Sequence, residues 1–110
     1  MAPTRRKGNN NMGKFVYVYY AGSDSDGGTA EAWGKWFGEL GANLVDPGNP
    51  FGSDGTAVFA GGTMPVAEKP VTGYSIVNAA SKDEAVEWAK SCPLMNEKDG
   101  AVCVYEALPM

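Results

Sequence analysis

"KFVYVYY", residues 14–20, decides how this chain folds. Its β-branched and aromatic side chains predict a strand. Successive side chains of a strand point to opposite faces, so Phe15, Tyr17 and Tyr19 share one face and Val16, Val18 and Tyr20 the other. Both faces are apolar. Such a strand needs a covering layer on each side, and a single small domain supplies helices for only one of them.

Working outward, "AGSDSDGG" (21–28) is a polar, glycine-rich connection. Thr29 then precedes "AEAWGKWFGELG", in which Trp33, Trp36, Phe37 and Leu40 recur at the i, i+3, i+4 and i+7 spacing of a helix. Thr29 is its candidate N-cap and Gly41 its C-terminal stop. Gly34 and Gly38 lower the helix propensity on another side, which predicts close approach of a neighbouring backbone there. "ANLV" (42–45) reads as a second strand running into Asp46-Pro47, where the proline interrupts regular pairing. Residues 48–69 are rich in Gly, Pro, Ser and Thr; "TAVFA" (56–60) within them predicts an extra hairpin strand.

"TGYSIVNA" (72–79) is a third strand, with Tyr74 and Ile76 on one face and Ser75 and Val77 on the other. Ser81 and Glu84 in "SKDE" form a capping box, Ala85, Trp88, Ala89 and Cys92 make an apolar stripe, and Pro93 is expected to end the helix. "AVCVYEAL" (101–108) is the last strand, apolar on both faces. The order βαββαβ is the ferredoxin-like pattern, an α+β fold whose antiparallel sheet carries two helices on one face. The bare face is too apolar for water, so a homodimer with sheets packed face to face is expected.

Composition agrees with one domain: 44% hydrophobic and 11% aromatic residues supply a core at this length. The formal charge of −4 is uneven, because Arg5, Arg6 and Lys7 lie in "MAPTRRKGNNN", leaving six basic against thirteen acidic residues in the rest. Residues 1–13 read as a flexible basic arm and residues 14–110 as the domain. An acidic body disfavours nucleic acid as a partner of the domain. No apolar run reaches the roughly 20 residues of a membrane span and none follows the basic residues as in a signal peptide, so a cytoplasmic protein is expected.

Several stretches resemble the YCII-related domain family, which includes the DGPF-domain proteins: "LVDPGNPFG", "GYSIVNAASKDEAVEWAKSCP" and "VCVYEALPM". The similarity runs from about Lys14 to Met110 and is most specific at Gly73-Tyr74, the run Ala79-x-Ser81-x-Asp83-Glu84-Ala85, Trp88-Ala89 and Cys92-Pro93. The resemblance implies a ferredoxin-like subunit that pairs into a dimeric α/β barrel. In members related to muconolactone isomerase, a helix-one histidine and an aspartate after the second strand are a proposed active pair. This chain has no histidine, and ungapped counting puts that position near Ala30. The Asp-Gly-Pro-Phe element is absent as well; the corresponding region reads "GGTMPVAEKPVTGY". An association of some members with alternative sigma factors implies a regulatory context.

Chemistry without histidine rests on carboxylate, phenol, thiol or lysine, since no Ser-His or Cys-His pair can form. Asp46 is the candidate general base, with Tyr20 or Tyr74 assisting; the same Asp-Pro-Gly sequence is also a turn former. Trp33, Trp36, Phe37, Phe51 and Tyr74 are the candidate ligand-binding residues, and each is also of a type that fills cores and interfaces. "DSDGG" departs from a calcium loop at once, because Gly28 stands at the third ligand position, and "AGGT" lacks the lysine of a phosphate loop. Cys92 and Cys103 are too few and too far apart for zinc and read as reduced thiols. Neither metal nor cofactor is expected. Three readings stay open: a small-molecule binder, a cofactor-independent isomerase, lyase or oxygenase, and a regulatory interaction module.

Overall fold

A computed structural model describes residues 12–22, 28–52, 54–66 and 71–109. The basic arm up to residue 11 and residues 23–27 of the glycine-rich connection, which hold most of DSDGG, lie outside the described residues. The elements are β1 (Gly13–Tyr20), α1 (Ala30–Leu40), β2 (Leu44–Asp46), β3 (Thr56–Phe59), β4 (Gly62–Pro65), β5 (Gly73–Ala79), α2 (Lys82–Ala89) and β6 (Ala101–Glu106). The main sheet has the order β2-β5-β1-β6 and is antiparallel throughout. This is the ferredoxin-like α+β fold expected of βαββαβ, with a separate β3–β4 hairpin inserted before β5.

β1 lies at the centre of the sheet, which is why both of its faces are apolar. Phe15, Tyr17 and Tyr19 are buried, while Val16, Val18 and Tyr20 on the other face are half-buried. The register sets Val77 and Ser75 of β5 beside Phe15 and Tyr17, so the helix-covered face is continuous across the two strands. Trp36 and Leu40 of α1, Ala85 and Ala89 of α2, and Cys92 and Leu94 beyond α2 close over it. Each large side chain so buried contributes roughly 1.5–3 kcal/mol before entropy is counted.

The helix ends follow local chemistry. Thr29 Oγ1 accepts the Ala32 amide at 3.0 Å to cap α1. Gly41, at φ 58°, stops it and donates its own amide to Phe37 O. Ser81 Oγ accepts the Glu84 amide at 3.1 Å, and Glu84 Oε1 accepts the Ala80 amide at 2.8 Å, so the capping box reaches one residue further back than the N-cap. Tyr17, from the sheet, donates its hydroxyl to Ala85 O of α2 and fixes the helix on its strand.

Three local expectations change. A Cβ built on Gly34 or Gly38 meets nothing within 4 Å, so among the described residues no neighbouring backbone approaches α1 there. Residues 42–43 belong to a 3-10 turn, Gly41–Asn43, that tightens the end of α1, and β2 starts at Leu44. α2 ends at Ala89, ahead of Pro93: the Lys90 amide is shared between Val86 O and Glu87 O as the last turn loosens, and Pro93 opens a further 3-10 turn, Pro93–Asn96. Among the described residues no helix is long and apolar enough to cross a membrane.

Candidate functional site

The segment after β2 builds one wall of a cavity. Asp46 Oδ1 accepts the Gly48 amide at 2.8 Å, an Asx turn that folds the chain back at Pro47. Ser75 Oγ of β5 donates to Pro47 O at 2.6 Å, and Pro50 makes an isolated bridge to Gly73. Residues 46–50 are thereby laid along the end of β5. Gly73 fits because a Cβ there would come within 3.1 Å of Asn49 O.

α1 supplies the opposite wall. Trp33 and Phe37 lie one helical turn apart with ring centroids 5.7 Å apart, and Trp33 meets Tyr19 of β1 edge-to-face at 4.9 Å. Contacts of this geometry add about 0.5–1.5 kcal/mol beyond buried area, so the wall is rigid as well as apolar. Between them lies a cavity of about 590 Å³, within the roughly 300–1,000 Å³ range of small-molecule sites. Pro47, Asn49, Pro50, Thr72, Tyr74 and Leu94 complete much of its lining. Among the described residues, none of those lining it has a charged side chain.

The candidates read from sequence separate by position. Trp33 and Phe37 line the cavity from α1, and Tyr74 borders it at the end of β5, its ring stacked on Phe51 on the side of β5 opposite buried Ser75. Trp36 does not line it: it is buried one turn along, stacked on Tyr17 at 5.7 Å, with its Nε1 donating to Trp88 O at 3.1 Å. Phe51 stands outside the lining and is half exposed; its ring stacks on Tyr74 at 5.7 Å and its amide donates to Thr72 O. Asp46 holds the turn that positions Gly48 and is itself absent from the lining. Tyr20 belongs to the sheet face opposite Tyr19 and is not brought to the cavity.

Tyr19 is the residue that the sequence reading passed over in favour of Tyr20. Its hydroxyl is a buried polar atom without a hydrogen bond among the described residues. Burial pushes its ionisation well above the ordinary phenol range, with the neighbouring Ser75 hydroxyl acting in the opposite direction. The Ser75 hydrogen is engaged with Pro47 O, so that side chain does not donate to Tyr19. Tyr19 therefore stays neutral and keeps a hydrogen to donate. Strand parity puts Tyr19 on the face of Tyr17, and the burial of Tyr17 shows that face to be the one beneath α1.

Cys92 lies below the same face, buried, its thiol pushed up to about 11 by desolvation. Both cysteines are free. Among the described residues no three His, Cys, Asp or Glu side chains converge as a metal site would require.

No curated protein and no solved structure matches this chain. The YCII-related domain matches residues 13–110, from the first residue of β1 to the end of the chain, and so spans the sheet, both helices and every wall of the cavity. Strand order, capping box and sequence pattern agree, and the chain belongs to the YCII-related domain family.

Proposed function

We propose that the protein binds a small, uncharged organic molecule between α1, the end of β5 and residues 47–50. The observation that carries this reading is the cavity of about 590 Å³, with aromatic and proline walls and, among the described residues, no charged side chain in its lining. A carboxylate or phosphate entering it would lose hydration without gaining a cation, whereas a flat apolar molecule gains aromatic contact. Asn49 and Thr72 supply the polar groups of the lining for orientation. A base at the cavity is what turnover would require; Asp46 is occupied by the Gly48 amide instead, which favours binding without catalysis.

The same reading includes a homodimer. Its support is the uncovered sheet face, where Val16, Val18, Tyr20, Ile76 and Cys103 lie only half-buried and Tyr105 is exposed. Burying such a face against a copy of itself satisfies an isologous two-fold contact.

Native mass spectrometry of freshly purified protein tests the ligand, with Nile red titration as the neutral apolar probe. A discrete adduct, or saturable dye binding that Gly34→Leu abolishes by filling the cavity from α1, supports the reading. Protein without adduct whose dye binding is unchanged in Gly34→Leu overturns it.

A further inference from the structure

The β3–β4 hairpin takes no part in the main sheet or in the cavity lining. Its strands pair with each other, Ala57 opposite Met64 and Phe59 opposite Gly62. Strand alternation puts Ala57, Phe59 and Met64 on one side and Val58 on the other. Val58 is 77% exposed, Met64 54% and Phe59 51%. From Thr56 to Val66 the segment contains no charged residue.

A lone two-stranded hairpin is marginal in water, and exposed edges are ordinarily blunted by lysine or other charges. This hairpin has neither a covering layer within the described fold nor such a charge. Among the described residues nothing covers it.

Area and position identify the occupant. The open face of the main sheet, four strands about 4.8 Å apart and about 20 Å long, covers roughly 400 Å². A specific, stable interface takes about 800 Å² from each partner, so this face alone falls short by about half. The chain leading to the hairpin passes that same face: Phe51 stacks on Tyr74, which alternates with buried Ser75 and so lies on the open side of β5. One subunit thus carries two adjoining apolar surfaces, and a two-fold pair covers both at once.

We propose that the hairpin is a dimerisation arm whose Ala57, Phe59 and Met64 side packs on a second copy of this chain. The inference rests on the homodimer proposed above and supplies the surface that its sheet face lacks.

The test is sedimentation velocity across a dilution series for the full chain, for the Phe59→Asp, Met64→Asp double variant, and for Val18→Lys on the sheet face. Hydrogen exchange of amides 56–64 in the unaltered protein, above and below the dissociation concentration, is measured alongside. The expected result is a dimer that the hairpin variant weakens at least tenfold, with near-ultraviolet circular dichroism unchanged and protection of 56–64 rising with the dimer fraction. A dimer that Val18→Lys breaks but the hairpin variant leaves intact overturns the arm and spares the sheet interface. Protection that ignores concentration overturns the arm even where the double variant misfolds. A wild-type monomer at every concentration overturns arm and dimer together.

Discussion

Gly48 is seated on the main chain of Tyr74 so closely that a Cβ at Gly48 would overlap the Tyr74 carbonyl, and its φ of 73° is one that side chains resist. Backbone thus meets backbone where the cavity wall joins β5. Gly48→Ala is expected to cost at least about 2 kcal/mol, from left-handed strain together with displacement of the 46–50 segment. Chemical denaturation reads the loss, and ligand or dye affinity should fall with it.

Asp46 provides a sharper discrimination. An asparagine retains the side-chain oxygen that accepts the Gly48 amide, so Asp46→Asn should leave stability and binding within about 0.5 kcal/mol of the parent. Asp46→Ala should lose about 1 kcal/mol in denaturant melts. A large functional loss in the asparagine variant alone would instead assign the carboxylate charge a chemical task.

Gly34 pairs a stability gain with a binding loss. A helical glycine costs about 1 kcal/mol relative to alanine, and a Cβ here meets nothing within 4 Å, so Gly34→Ala should stabilise the fold by about that amount. Because Gly34 lines the cavity, the same variant should weaken Nile red binding. Gly38→Ala, equally unobstructed but away from the lining, should stabilise without touching binding. Thermal melts and dye titrations of the two variants make the comparison.

Alkaline pH should destabilise the protein in a defined window. The Cys92 thiol is raised by burial from about 9 to about 11, and burial raises the Tyr17 and Tyr19 phenols above their ordinary range as well. The unfolded chain therefore releases these protons first, and stability present below pH 9 is lost as pH climbs toward 11. Cys92 alone accounts for up to about 3 kcal/mol of this dependence. Denaturant midpoints at pH 8 and pH 10.5 should differ clearly, and Cys92→Ala, though weaker at both, should show the smaller difference.

Much of this architecture was legible because its signals are local. The SKDE box marks the start of α2 through two hydrogen bonds made within five residues, and the alternation of KFVYVYY separates two faces without reference to anything else. What escaped the sequence depends on partners distant in the chain. Parity divides Tyr19 from Tyr20 but does not say which face α1 covers; that follows from how the helix crosses the sheet. Trp33 and Trp36 sit on one apolar stripe, and only the place where residues 47–50 fold back decides that one walls the cavity and the other fills the core. β4 was hidden for a different reason: GTMP has one β-branched residue and ends in proline, so its pairing with β3 comes from the turn at Ala60 and Gly61 rather than from propensity.

The hairpin's root has a meaning of its own. Phe51 donates its amide to Thr72 O at 2.9 Å, Thr72 donates its amide to Tyr19 O at 2.7 Å, and Pro50 bridges Gly73. The β3–β4 hairpin is flanked in the chain by this clasp, Pro50 and Phe51 before it and Thr72 and Gly73 after it. Closure of that excursion is fixed at the clasp, and lengthening such a loop costs only about 0.6 kcal/mol per doubling. The segment is therefore a natural cassette: it can be shortened, extended or replaced by a foreign peptide while the clasp, and the subunit behind it, keep their shape.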